Sequence, residues 1–503
     1  MRPELIVSIV VATAADAETK IPSFATVEIP AHVYDGGWEH FVGGGVAVFD
    51  CNGDELPELF VAGGSNRSQL FKNTSSDKIS FTIDTPDELS LTGVTGGYPI
   101  DVDSDGILDL VVLRVGDDLL FKGNLDCEFS PFSEFDFQAE DHWTTGFSAT
   151  WEGRQTLPTL AFGTYVDRFD PNGPFGTCGP TVLYRPEEGK YRKPEHLEPG
   201  HCSLSILFSD WARNGRADLR VSNDRHYYVN DGQEQLWAME PAPRLYSLEE
   251  GWMPYSIWGM GIASRDLNGD GFPEVYLTSM GDQKLQVFDS DVDGPTWRDA
   301  TYEKGTTAHR PHVGGDGRPS TGWHAQFGDF NNDGLDDIFV AKGNVEQMPD
   351  AALYDPNNML LQQRDGQFFE ASVEAGIASM SKSRGAAIMD LNNDGKLDLV
   401  VVNRGSELEV YQNQLQTGNW LMLDVVQKRP NRMAVGGFIE IETSIGRQVR
   451  EITIGGGHAS GIAGLHHFGL GYDELVTVRV IWPDGVEGDW QAYTPNQIVR
   501  VTR

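Results

Sequence analysis

Short apolar runs rich in β-branched residues recur between residue 50 and about residue 415, each entered from an acidic turn. They read LFVAG after Glu58, LVVLR after Asp109, VYLTS after Glu274, IFVAK after Asp337 and LVVVN after Asp398. Unbroken apolarity over so few residues predicts strands covered on both faces. A turn and a second run, usually aromatic-bearing, follow each, as QLFKN at 69, DLLFKGN at 118, KLQVFD at 284, NMLLQQ at 358 and LEVYQN at 408, and a sixth run of the same kind, TVLYRP, stands at 181. From Asn419 the pattern changes. NWLMLDVVQ, GGFIEIET, RQVREITI, VTVRVIWPD and QIVRVTR alternate apolar and polar positions between Gly, Asp and Pro turns. That alternation predicts about five or six half-buried antiparallel strands in a separate small β domain.

The acidic turns share one nine-residue form, D-x-N/D-x-D-x-x-x-D/E. They are Asp50-Asn52-Asp54-Glu58, Asp101-Asp103-Asp105-Asp109, Asp266-Asn268-Asp270-Glu274, Asp329-Asn331-Asp333-Asp337 and Asp390-Asn392-Asp394-Asp398. A hard divalent cation takes six to eight oxygens, and alternate residues of a tight loop supply three side chains, a backbone carbonyl and a returning carboxylate. The carbonyls fall to Leu56, Ile107, Phe272, Leu335 and Lys396. Four loops carry glycine at the sixth position, where a sharp turn favours it; Glu55 stands there in the first. An EF-hand begins alike but needs a Glu at position twelve, inside a helix. Here that position is Val61, Val112, Leu277, Val340 and Val401, inside the apolar runs. Five loops in one register followed by one kind of strand predict about five Ca²⁺ sites, with Mg²⁺ as the alternative ion at some.

Loops starting at 50, 101, 266, 329 and 390 leave a long gap that holds two degenerate units. The segment from Asp210 keeps Asn214, Gly215 and Asp218 but has Ala212 at the third position, with Arg213 and Arg216 beside it. WEGRQTLPTLAFG from Trp151 keeps the turn and strand and loses every ligand. Arg213 or Arg154 is expected to stand where a cation would. Seven units of about 50–63 residues fit the blades of a propeller, which pack face to face and number four to eight. The predicted organisation is a signal peptide over 1–17, an all-β seven-bladed propeller over 18–415 and a small β domain over 416–503.

With 75 acidic and 38 basic residues among 503, the formal charge is −37. Five Ca²⁺ would bring it to roughly −27. Such a surface repels nucleic acid and anionic lipid. LIVSIVVATA followed by Ala15-Asp16-Ala17 has the form of a short secretory signal, and no later run approaches eighteen apolar residues, so a secreted or periplasmic protein without a membrane span is expected. The four cysteines form no CxxC motif. Cys178 and Cys202 either pair or remain buried thiols. Two sequons begin at Asn66 and Asn73.

These residues carry a resemblance. The repeats resemble FG-GAP or VCBS repeats of the kind found in integrin α-chain heads. The tail, with Asn431-Arg432, Val435-Gly436-Gly437, GGGHASG, LHHFGLG and VIWPDG, is similar to the ASPIC/UnbV domain. With GGWEHFVGGGVAVFD and FGTYVDRFDPNGPFGTCGP, the whole resembles the cartilage acidic protein family, bacterial members included. The resemblance implies an exported, calcium-binding propeller with a C-terminal β module. Two loops depart from the pattern, and no RGD tripeptide occurs.

The strand before each acidic loop should line the propeller's channel. Most of its positions are small, and against them stand His40, Trp143, Trp258, Met260, Trp323, His324 and Arg384. Aromatic walls with histidine and arginine suit a ligand pocket; equally, the tryptophans suit packing between units and His324 a buried, satisfied role. There is no Ser-His-Asp order, paired-carboxylate site or His-rich metal motif. His466 and His467 read as strand-end residues, and Gly455-Gly456-Gly457 lacks the helix and lysine of a phosphate loop. Two functions follow. One is a calcium-stabilised binding module for an extracellular or envelope protein or glycan. The other is a lyase, hydrolase or cyclase acting on a small hydrophobic molecule in the channel, with Trp258, Trp323 and Arg384 holding it and His324 as acid/base.

Overall fold

A computed structural model describes residues 19–170, 176–224, 232–290, 292, 294–416 and 418–503. The expected signal peptide and part of the FGTYVDRFDPNGPFGTCGP segment lie outside them. The apolar runs form the second strands of successive antiparallel sheets, and among the described residues seven four-stranded units follow one another. The first runs Val46–Phe49, Glu58–Val61, Gln69–Asn73 and Phe81–Ile83. The innermost strands of the next six are Val94–Ile100, Asp141–Thr150, Ser203–Ser209, Gly259–Arg265, Gly322–Gly328 and Lys382–Met389. Each packs on the next, and Lys382–Met389 returns to Val46–Phe49, closing the ring of a β-propeller. The last unit takes its fourth strand from the N-terminal side: Phe24–Val27 pairs antiparallel with Glu409–Asn413.

The polar residue ending the third strand locks neighbouring units together. Asn73 Nδ2 donates to Leu391 O and Asn413 Nδ2 to Phe330 O, both over 2.9 Å; Gln362 Nε2 reaches Leu267 O at 3.4 Å. Each acceptor is the second residue of the preceding unit's acidic loop. Asn73 is therefore buried and its sequon is structural, whereas Asn66 is exposed. Both disulfides form. Cys178 and Cys202 take the paired of their two open alternatives, and Cys51–Cys127, which sequence did not indicate, ties the first acidic loop to the second unit.

The C-terminal region is two sheets, not one run of antiparallel strands. Asn419–Val426 lies between His466–Gly471 and, in parallel, Gln497–Thr502. Phe438–Thr443 lies between Gly446–Glu451 and Val476–Ile481. The domain is packed into the propeller: Leu421, Ile439 and Phe468 share one core with Tyr98, Ile100 and Phe147 of the inner strands. The segment from Ile454 to Ile462 also leaves the domain and enters the propeller channel.

Candidate functional site

The channel is occupied by the chain itself. Ile454, Gly455, Gly457 and Ser460 bridge to Ala149, Leu207, Ile262 and Gly97 of four different inner strands. Gly461–Ile462 pairs in parallel with Ala47 and Val48 of the first. The small channel residues make room for this plug. A Cβ on Gly45 would lie 1.8 Å from Ala459 O, and one on Gly96 2.0 Å from the same oxygen. GGGHASG is thus a channel-filling segment, and its glycines pass between strands where a side chain would collide.

The predicted ligand pocket is correspondingly spent on internal contacts. The backbone N–H of His458 donates to His324 Nδ1 at 3.1 Å, which fixes the proton of His324 on Nε2, facing Gln326 Oε1 at 3.3 Å. His458 accepts from Gly43 N–H at Nε2 and faces Met260 O with Nδ1. Burial lowers His324 to about 4 and His458 to about 3, so both are neutral at ordinary pH. Neither keeps a lone pair for proton transfer. Arg384 is fully buried over the Trp323 ring, 4.0 Å from its centroid. Its guanidinium donates only to backbone carbonyls, those of Phe41, Ser383, Asn344 and Val345. Trp323 Nε1 donates to Gly343 O, and Trp143 packs edge-on against Trp38 and Tyr165. Met260 is buried, Trp258 is half-buried, and His40 is buried edge-on to Tyr34. Of the two roles the sequence allows these residues, the structure shows the packed and satisfied one rather than an open pocket: Trp143, Met260 and Trp323 share one buried cluster.

The five acidic loops repeat one geometry. The sixth residue's N–H donates to the first Asp, from Glu55, Gly106, Gly271, Gly334 and Gly395, over 2.6–3.0 Å. The second residue's N–H donates to the ninth-position carboxylate, on Glu58, Asp109, Glu274, Asp337 and Asp398, over 2.8–3.1 Å. All five ninth-position carboxylates are buried. Burial, with neighbouring carboxylates adding to it, pushes Glu58 up to about 7 and Asp109 and Glu274 up to about 8. In the second loop one oxygen each from Asp101, Asp103 and Asp109 lie within 4.8 Å of one another. Asp101 Oδ1 and Asn392 Oδ1 are buried without a hydrogen-bond partner. Oxygen-only side-chain sets of this kind fit a hard cation. Lys122 Nζ pairs with Asp103 and Asp105, and Lys396 Nζ lies 2.6 Å from Asp394.

These loops also carry the C-terminal domain. Asn431 N–H donates to Ser104 Oγ at 3.0 Å, Gly471 N–H to Asn332 O at 2.9 Å, and His467 Nε2 to Gly395 O at 3.1 Å. The degenerate fourth loop contributes Arg213, but not as a stand-in for its own cation. Arg213 crosses to the fully buried Glu440, which Arg447 and Arg479 also meet. Arg154, in the third unit, is exposed. Between the loop face and the domain remains a cavity of about 1050 Å³, lined in part by Ile262, Gln326, Met389, Arg450 and His466.

Residues 50–149, 266–340 and 329–401 match the FG-GAP-like repeat model, and 427–503 match that of ASPIC and UnbV. The chain carries FG-GAP-like repeats followed by an ASPIC and UnbV domain. The stretch between the first two repeat matches holds the two units whose acidic loops have lost ligands. The chain is similar to cartilage acidic protein 1 of Mus musculus, 29% identical over 237 residues, which are 45% of this chain and 34% of that protein. The Homo sapiens protein is likewise 29% identical, over 45% of this chain and 33% of its own. The match spans about a third of these relatives' length. Among solved structures, BBS1N from a complex with ARL6DN aligns at 10% identity and TM-score 0.45, covering 78% of this chain and 96% of that one. An Agrocybe aegerita lectin that recognises terminal N-acetylglucosamine aligns at 12% identity and TM-score 0.38, covering 65% and 79%.

Proposed function

We propose that the FG-GAP-like propeller is a calcium-stabilised extracytoplasmic interaction module. It takes a protein or glycan partner on the face opposite its acidic loops. One observation carries this reading. In antiparallel four-stranded units, the connections into the inner strand and between the second and third strands share one end of the ring. There stand the exposed Trp38, Met253, Tyr354 and Met380. Exposed aromatic and methionine side chains favour interfaces. The other end is covered by the ASPIC and UnbV domain, and the channel is filled.

Calcium held by the five loops supports the same reading. Asp, Asn and Glu oxygens at the first, third, fifth and ninth positions would hold the ion, and the ion would offset their mutual repulsion. Each site adds RT ln(1 + [L]/Kd), about 2.7 kcal/mol at a hundredfold excess over Kd. Two disulfides favour an oxidising compartment. No helix among the described residues is long and apolar enough to cross a membrane. A small-molecule enzyme would have to use the cavity beneath the C-terminal domain, since the channel residues chosen for it are occupied.

The calcium-loaded chain, incubated with envelope and medium extract from its own source, separates the two readings. Retention of a partner that is lost in a Trp38→Ala/Tyr354→Ala variant and kept in His324→Gln is expected. Chemical conversion of a small molecule by the wild-type chain, whether or not His324→Gln abolishes it, would overturn the interaction reading.

A further inference from the structure

Glu140, His142 and His196 converge in the third unit, whose turn WEGRQTLPT has lost the acidic set of the other loops. His142 Nε2 lies 3.3 Å and His196 Nε2 2.6 Å from one and the same oxygen, Glu140 Oε2. All three ligand atoms fall within 4.8 Å of one another. Strands hold them in place. His142 belongs to the inner strand Asp141–Thr150 and pairs with Gly116 of the second unit; His196 belongs to the outer strand Glu195–Leu197 and pairs with Val182. The Glu140 backbone N–H donates to the Tyr184 hydroxyl at 3.2 Å.

Two imidazoles and a carboxylate are the wrong donors for Ca²⁺, which takes oxygens, and the right ones for a borderline transition-metal ion. Around Zn²⁺, ligand atoms at about 2.0–2.2 Å stand roughly 3.3 Å apart in a tetrahedron. The His142 contact already has that spacing, and the His196 contact reaches it by a side-chain shift of under about 1 Å. The side chains are 26%, 36% and 42% exposed for His142, Glu140 and His196, so an ion can enter from solvent. Three protein ligands leave a coordination position open to water or to a donor from another molecule.

We propose that Glu140, His142 and His196 form a site for a divalent transition-metal ion of the zinc class, distinct from the acidic loops. Its ligands come from the unit that has given up its oxygen-only loop. The same full-length chain would then carry two chemically separate kinds of metal site.

The test is a zinc titration of the full-length, calcium-saturated protein by calorimetry, repeated with Co²⁺ and read by visible ligand-field absorbance. Calcium saturation blocks the acidic loops. One zinc equivalent is expected, with nitrogen-ligated Co²⁺ absorbance, and His196→Gln should bind at least about tenfold more weakly. Melting in calcium alone should be the same for wild type and His196→Gln, because the side chain is largely outside the core. His142→Gln provides an independent second arm. Absence of zinc uptake in the wild type, or an isotherm and Co²⁺ spectrum unchanged in both variants, would overturn the proposal.

Discussion

The backbone N–H of His458 donates to Nδ1 of His324 across 3.1 Å, joining the tip of a C-terminal segment to the inner strand of the sixth propeller unit. That one bond sets the His324 tautomer and removes its basic nitrogen from chemistry. It also explains why the channel is lined by small residues, since the plug needs the space that side chains would take. The propeller and the C-terminal domain are accordingly one folding problem, with a shared core and a shared channel.

Filling the space of the plug should dislodge it. Gly45→Val places methyl groups where Ala459 O now sits 1.8 Å from the position of a Cβ. Overpacking of this kind costs about 1–3 kcal/mol. The expected result is a lower melting temperature and protease access to residues 452–463. A melt and cleavage pattern matching wild type would show that the plug is not seated there.

Glu440 anchors the degenerate fourth loop. Burial pushes its carboxyl up, but the guanidinium groups of Arg213, Arg479 and Arg447 outweigh burial and hold it below the ordinary glutamate range. Glu440→Gln leaves Arg213 and Arg447 without their anion and Arg479 with Glu487 alone, and should cost about 3 kcal/mol at neutral pH. Because the folded pKa is depressed, this stabilisation is complete above the unfolded value and is lost as pH falls through the folded one. The gap in stability between wild type and variant, measured by denaturant melts, should therefore narrow below about pH 4.

Glu55 adopts φ 71°, the left-handed conformation that Gly106 and Gly395 take at the same loop position with φ 95° and 82°. A side chain there costs roughly 1–2 kcal/mol. Glu55→Gly should thus raise the stability of the first unit by about 1 kcal/mol, while keeping the N–H bond to Asp50. A thermal melt checks it, and an unchanged or lower midpoint would contradict it.

Strand order was legible because it rests on local pattern: the β-branched runs, the acidic turns and the third-strand motifs such as QLFKN each lie within a few residues. The acidic loops were legible for the same reason, their carboxylates being spaced within nine positions. What stayed hidden is long-range. GGGHASG has the composition of a turn, and only the placement of Gly45 and Gly96 around Ala459 shows it to be a plug. The same holds for the Cys51–Cys127 pairing, the Arg213–Glu440 crossing and the Glu140, His142 and His196 cluster, whose members come from separate strands. His324 and Arg384 stand out in the channel from sequence alone. What satisfies them does not, because His458 and the carbonyls of Asn344 and Val345 lie far away in sequence or carry no side-chain signal.

The most direct measurement is hydrogen exchange across residues 452–463 together with the melting temperature, with calcium bound, after its removal by chelator and after calcium is restored. If calcium in the acidic loops holds the C-terminal domain and its plug in place, removal should sharply lower the melt and expose the segment, and added calcium should reverse both. Protection and melting temperature unchanged by the chelator would contradict the account.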